Sequence, residues 1–318
     1  MTEFELIDLF VRRAPRAGEG VLLGIGDDAA VLRPPSGHEL VMTVDAVVEG
    51  VHFDRRFSPE DVGYKALAVN LSDLAAMGAR PLWALCALAT PAGEKASRLA
   101  RVGEGLAACA REHAIALVGG NVTRARDLSL TVTAVGAVRK SRLLTRAGGE
   151  PGDLLLVSGS LGDAAAGRLA KAPPALARRQ RRPEPRLALG EALAPLAHAG
   201  LDLSDGLLQD LGHLCTAAGL GAVVRLALLP LSAAYRRATS KSPRPFDAAL
   251  AGGEDYELLF AVPPERVGEA QTRARKVGVP LTAVGELTRE HTVRVLDAQG
   301  KKYPIRTRGH DHLRARGG

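Results

Sequence analysis

Lys65-Ala66-Leu67-Ala68-Val69-Asn70-Leu71-Ser72-Asp73-Leu74-Ala75-Ala76-Met77-Gly78-Ala79 is the stretch on which the fold turns. It continues a helical periodicity over 59–77 that passes through Val62, Ala66, Val69 and Asp73. The start of that helix is written in the sequence: Ser58 can cap it, Pro59 fits the first turn, and Asp61 follows three residues after the cap. Asn70, Asp73 and Met77 recur at spacings of three and four, so they share one face. An acid flanked by Leu71, Leu74, Ala75 and Ala76 is poorly placed on a buried helix unless something pairs with it. Asp73 therefore reads as a residue that a rigid element presents to a partner.

Outward from this helix, strand and helix signals alternate. A β-branched run over 40–48 precedes it, and strands are expected at 82–89, 115–118 and 128–138, with a helix over 94–112. Turn formers cluster at 145–153 (Gly148, Gly149, Pro151, Gly152), which marks a boundary. Beyond it come a strand at 154–158, a helix opening near Gly162, helices at 187–196 and 205–217, strands near 222–226 and 257–262, a helix near 264–276 and terminal β segments. The pattern is a mixed α/β or α+β fold in two halves, 1–146 and 147–318.

A chain of 318 residues, 46% hydrophobic and 24% charged, can bury a sizeable core and suits one large domain or two. With aromatics at only 3%, that core must rest on Ala, Leu and Val. Cys86, Cys109 and Cys215 lie far apart in apolar stretches and read as reduced core residues of a cytoplasmic protein. No run of about 18 uncharged apolar residues occurs, and Glu3, Glu5 and Asp8 stand where a signal peptide would be basic, so no membrane role is expected. The net charge of +7 invites a nucleic-acid reading. Its excess lies between Arg168 and Arg186 and in the tail at 306–316, without interleaved aromatics for stacking, so no nucleic-acid partner is expected. The Arg/Pro-rich segment reads as a solvated connector or helix face, with weak steering of anionic substrates as the alternative.

The acids recur in short Gly-flanked strings: Gly24-Ile25-Gly26-Asp27-Asp28, Val44-Asp45, Asn70-Leu71-Ser72-Asp73, Asp202-Leu203-Ser204-Asp205-Gly206 and Gly252-Gly253-Glu254-Asp255. Two carboxylates about 4 Å apart repel by roughly 4 kcal/mol at an effective dielectric near 20, so a fold that gathers several imports positive charge. Oxygen ligands point to Mg²⁺, which usually arrives with substrate phosphates. Each string has an ordinary alternative. Asp27, Asp28 and Asp45 suit turns, Ser204 can cap the helix that follows it with Asp205 in the first turn, and the Gly252 string can be a loop. Gly119-Gly120-Asn121 and Gly159-Ser160-Leu161-Gly162 offer close backbone approach to phosphate or serve as simple turns. His52 and His310 alone read as surface or satisfied histidines. Gly24 to Ala29 meets the GxGxxA pattern, but two aspartates in the loop would repel a pyrophosphate, and Pro34 and Pro35 follow in place of a helix. No P-loop, GxSxG, HExxH or HRD signature is present.

In order and over nearly the whole chain, these strings resemble the thiamine-monophosphate kinase family of the aminoimidazole ribonucleotide synthetase superfamily. The likeness rests on the Gly24–Asp28, 65–79, Thr145-Arg146-Ala147-Gly148, 202–207 and 252–258 strings, with Val51-His52-Phe53 favouring this kinase within the superfamily. The resemblance implies a two-domain fold, with an ATP- and magnesium-binding, dimer-forming domain at 1–146 and an α/β domain at 147–318. It implies ATP-dependent phosphorylation of thiamine phosphate in a cytoplasmic homodimer. It assigns Asp28, Thr43, Asp45, Asp73, Asn121, Asp202 and Asp205 to Mg²⁺, with Asp28, Asp45, Asp73 and Asp205 central to catalysis. Gly120, Asn121, Arg146 and Ser204 would contact ATP, and His52, Glu254 and His310 the thiamine substrate. Two positions depart from the family: Asn121 stands where Asp is common, and His310 where an aromatic residue often lies. Another ATP-using superfamily enzyme and a catalytically silent nucleotide-binding scaffold are the alternatives.

Overall fold

The computed structural model describes residues 14–169 and 171–305, and the chain forms two compact units. Among the described residues, one holds 14–74 together with Ala79–Ser141, and the other holds Ala75–Gly78 with 142–169 and 171–305. A linear division at 146/147 therefore differs in two ways. The break falls at Ser141, before the glycine cluster, and the end of the 59–76 helix goes with the second unit. The physical reason is packing, since Ala75 and Ala76 belong to the same hydrophobic cluster as Leu189, Leu193 and Phe260.

The first unit is built on a four-stranded sheet of order β3-β6-β4-β5, from β3 (Glu39–Val48), β6 (Ser129–Val138), β4 (Arg80–Thr90) and β5 (Ala116–Arg124). A short pair, β1 (Val21–Leu23) and β2 (Val31–Leu32), packs Val21 and Leu32 against Trp83 and Val135. No helix follows Ala29, in keeping with the rejection of a dinucleotide loop. Leu130, Val132 and Ala134 of β6 alternate inward and are fully buried. Helices α1 (Pro59–Ala76) and α2 (Ala96–Glu112) approach closely at glycines: a Cβ on Gly63 would meet the Val102 carbonyl and one on Gly105 the Glu60 carbonyl. The Ser58 cap forms as expected, with Asp61 N–H donating to Ser58 Oγ at 3.1 Å. β5 runs on through Gly119-Gly120-Asn121, which the sequence suggests as a turn, because Leu85, Cys86 and Ala87 of β4 pair with all three.

The second unit carries a six-stranded sheet of order β12-β9-β11-β7-β10-β8, from β7 (Leu154–Ser158), β8 (Ala199–Asp202), β9 (Gly221–Arg225), β10 (Leu258–Val262), β11 (Leu281–Thr288) and β12 (Val293–Leu296). Its central strands are covered on both faces. Leu259 and Ala261 enter one hydrophobic cluster, and Leu258, Phe260 and Val262 enter another. A strand buried on both sides reads as continuously apolar, which is why 258–262 is legible. The helices are α3 (Asp163–Gly167), α4 (Pro174–Arg181), α5 (Leu187–Leu193), α6 (Leu207–Ala218), α7 (Ala233–Thr239), α8 (Asp247–Ala251) and α9 (Val267–Lys276). Among the described residues, no helix is long and apolar enough to cross a membrane.

Candidate active site

In the first unit, α1 and β3 place oxygen atoms against one another. Every residue at positions 62–76 is buried except Asp73, which is half-buried. The hydroxyl of Thr43 donates to Asp73 Oδ2 at 2.5 Å, and Asp45 N–H donates to Asn70 Oδ1 at 3.0 Å. Asn70 is itself fully buried and fixed by donation from its amide nitrogen to the Ala66 carbonyl at 2.9 Å. The partner demanded by an acid on this helix is thus the Thr43 side of β3, and Asn70 sets the position of Asp45. A hydroxyl, a carboxylate and an amide oxygen are hard ligands, the donor chemistry that magnesium takes.

The other expected residues of this unit fall elsewhere around the sheet. Asp45, Val132, Cys86 and Gly120 form one cross-strand row, whereas Asn121 lies in the next row with Ala87, Thr131 and Ala46, on the opposite face by strand alternation. Asp28 is exposed, and its N–H donates to the Asp27 carboxylate at 2.8 Å. His52 follows β3; its Nδ1 accepts the Val48 N–H at 3.1 Å, which leaves Nε2 as the protonated nitrogen. Lys65, fully buried, donates to the His52 carbonyl at 3.2 Å and lies 5.4 Å from the Phe57 ring centre. In the sequence, Lys65 stands out as a charge inside an otherwise apolar helix.

In the second unit, Asp202 ends β8 and is buried, while Ser204 and Asp205 are half-buried in the following turn. The expected cap is corrected here. Gly206, with φ 113°, is the residue that precedes α6, and no side-chain bond from Ser204 caps it. Instead Asp210 Oδ2 accepts the N–H groups of Asp205 at 3.1 Å and Gly206 at 3.0 Å. Asp210 is pushed up to about 7 by burial and by the neighbouring Asp205 charge, against the two N–H bonds and the more distant Arg146. Asp205, Asp210 and His213 each offer a ligand atom within 4.8 Å of the others, the sole such His/Cys/Asp/Glu group among the described residues. Asp210 and His213 were missed because an acid in the first turn of an amphipathic helix looks like ordinary dipole chemistry. Arg146 is exposed, and Glu254 lies 3.5 Å from Arg168. His310 lies outside the described residues.

Residues 26–138 match the family of AIR synthase related proteins in its N-terminal domain, and residues 150–297 match the C-terminal domain. Thiamine-monophosphate kinase of Escherichia coli K12 is 41% identical over 321 residues, covering 98% of each chain. The chain belongs to the thiamine-monophosphate kinase family. Among solved structures of the family, that of the kinase from Stenotrophomonas maltophilia K279a is similar at a TM-score of 0.85 and 41% identity, covering 95% of this chain and 98% of the other. A structure of AaThiL complexed with AMPPCP and TMP is similar at a TM-score of 0.77 and 32% identity, covering 97% of each. Family membership accounts for the mixed two-domain fold.

Proposed function

We propose that this chain transfers the γ-phosphoryl group of ATP to thiamine phosphate, giving thiamine diphosphate and ADP. The observation that carries the reading is the match over 98% of the chain to a thiamine-monophosphate kinase. The likeness to a structure complexed with AMPPCP and TMP supports the same pair of substrates. The chemistry suits the residues. A phosphate monoester with a second pKa near 6 is already largely ionised at pH 7, so the acceptor needs no side-chain base. Catalysis then consists of holding donor and acceptor in line and stabilising charge, as in phosphoryl transfer generally.

Magnesium fits the donor set. Thr43, Asp45 and Asp73 would hold it in the first unit and Asp202 and Asp205 in the second, with Asp28 as a further ligand; Asn121, on the opposite face of the sheet from Asp45, falls outside the Thr43–Asp73 group. When bound, it neutralises charge on the phosphoryl oxygens. Arg146, Ser204 and Gly120 would meet ATP, and His52 and Glu254 the thiamine moiety. A homodimer is supported by the open face of the first unit's sheet, where Met42 and Val44 are 66% and 60% exposed on edge strand β3 and Leu85 is 41% exposed on β4. In our reading the first unit carries the dimer contacts. A cytoplasmic setting is supported by three buried cysteines outside any disulfide, with burial pushing the Cys86 thiol up to about 12.

The test is ADP release from ATP with and without Mg²⁺, in the presence of thiamine phosphate or of an aminoimidazole ribonucleotide precursor. Turnover with thiamine phosphate and Mg²⁺ is expected. Turnover only with the purine precursor, or nucleotide binding without turnover, overturns the reading.

A further inference from the structure

Within the Arg/Pro-rich segment Lys171 and Arg178 face solvent, but Arg179 and Arg186 turn inward. Arg186 grips the Glu257 carboxylate with both prongs of its guanidinium, Nε to Oε2 at 2.8 Å and Nη2 to Oε1 at 2.7 Å. Arg179, in the last turn of α4, pairs with the same carboxylate, and the Ser158 hydroxyl donates to it at 2.5 Å while accepting the Leu258 N–H at 2.8 Å. Glu257 has no exposed surface, so its charge must be answered from within the fold. Burial opposes the Arg186 charge, but Glu257 outweighs it and holds the guanidinium further toward its charged form. Gly159 completes the enclosure: a Cβ there would overlap the Glu257 carboxylate.

Glu257 closes a turn whose backbone is held in an unfavourable shape. Gly253, Glu254 and Tyr256 have φ of 64°, 65° and 50°, and the last two are L residues that rarely adopt the left-handed region. Such a backbone persists only where its surroundings over-determine it. Here Glu254 N–H donates to the Ser204 carbonyl at 2.7 Å, Tyr256 N–H to the Leu203 carbonyl at 2.9 Å, and Leu203 N–H to the Glu257 carbonyl at 2.8 Å. The Asp255 carboxylate accepts the Gly162 and Ala164 N–H groups at 2.7 and 3.3 Å. The turn that presents Glu254 is thereby tied to Leu203 and Ser204, and its far end is anchored at Glu257.

We propose that Arg179 and Arg186 are positioning residues for the thiamine-binding end of the reaction, setting the orientation of Glu254 by fixing Glu257. The inference rests on the kinase reading, since that reading gives Glu254 to the thiamine substrate. Lysine keeps the charge but cannot make the two-pronged bond, so Arg186→Lys separates geometry from charge. In full-length Arg186→Lys, the KM for thiamine phosphate rises about tenfold or more while the KM for ATP changes by less than about twofold. Equal rises in both, or no rise for thiamine phosphate, overturn the proposal. Ser158→Ala, a smaller change, shifts the same KM in the same direction by about threefold and keeps the test open if the lysine variant folds poorly. Amide hydrogen exchange of 252–257 in the substrate-free protein is a readout independent of turnover. It quickens about tenfold in Arg186→Lys with 39–48 unaltered, and unchanged exchange at 252–257 refutes the proposal even if the wild type proves inactive on thiamine phosphate.

Discussion

Asp73 is the acid whose surroundings say most about its purpose. It sits on a helix buried along its neighbours, yet it is itself only half-buried and holds the Thr43 hydroxyl. Asp73→Asn keeps shape and the possibility of that bond but removes the charge. Its phosphoryl transfer rate is expected to fall at least roughly a hundredfold, about 2.7 kcal/mol in barrier, with an unchanged circular dichroism spectrum. A near-normal rate would remove Asp73 from the proposed metal site. Asp255 yields a pH signature. Burial pushes its carboxyl up to about 7, even though two N–H groups and Arg179 favour the charged form. The folded protein thus keeps a proton between pH 4 and 7 that the unfolded chain has released. The stability this gives is full below the ordinary carboxyl value and is lost as pH rises through about 7, at no more than about 1.4 kcal/mol per pH unit. Denaturant unfolding at pH 5 and 7 is expected to show this slope diminished by about one proton in Asp255→Asn; an identical slope would deny that Asp255 is protonated. Asp73 was legible because an acid in an apolar run demands a partner nearby on the same unit. Glu257 was not, because its two arginines lie 71 and 78 positions away in sequence.

At the scale of elements, the crossing of α1 over α2 fixes where Asn70 and Asp73 stand. Backbone meets backbone there: Gly105 has no room for a methyl against the Glu60 carbonyl, and Arg101 pins Glu60 from α2 at 2.6 and 2.9 Å. Gly105→Ala is expected to force the helices apart and cost about 1–3 kcal/mol, read as a lowered denaturation midpoint. An unchanged midpoint would mean the crossing tolerates a methyl. Periodicity and caps were enough to read 59–76 and 154–158 nearly to the residue, because both are dictated locally. The same local logic misread Gly119-Gly120-Asn121, where pairing with β4 overrides glycine's turn preference. It also misassigned the start of α6, where Asp210 reaches back to the Asp205 and Gly206 N–H groups from inside the helix.

For the molecule as a whole, the open sheet face predicts association with a second copy. Met42→Glu places a charge on β3 in the exposed row, and by sedimentation it is expected to weaken self-association by about tenfold or more without unfolding the protein. Equal sedimentation of variant and wild type would move the interface elsewhere. The fold class was legible from the alternation of strand and helix signals, while the division between units was not. The glycine cluster at 148–152 is a local break, but packing of Ala75 and Ala76 against Leu189 and Phe260 assigns that helix end to the second unit. The charge excess misled for a related reason. Composition cannot distinguish an arginine facing water from one closing on a buried glutamate. The central claim is that the chain's carboxylates serve a magnesium-dependent transfer between ATP and thiamine phosphate. The most direct measurement is thiamine diphosphate formed per ADP released as Mg²⁺ is titrated into the purified protein. The account predicts equal amounts of the two products and none without the metal; ADP release without thiamine diphosphate, or product formation in its absence, would contradict it.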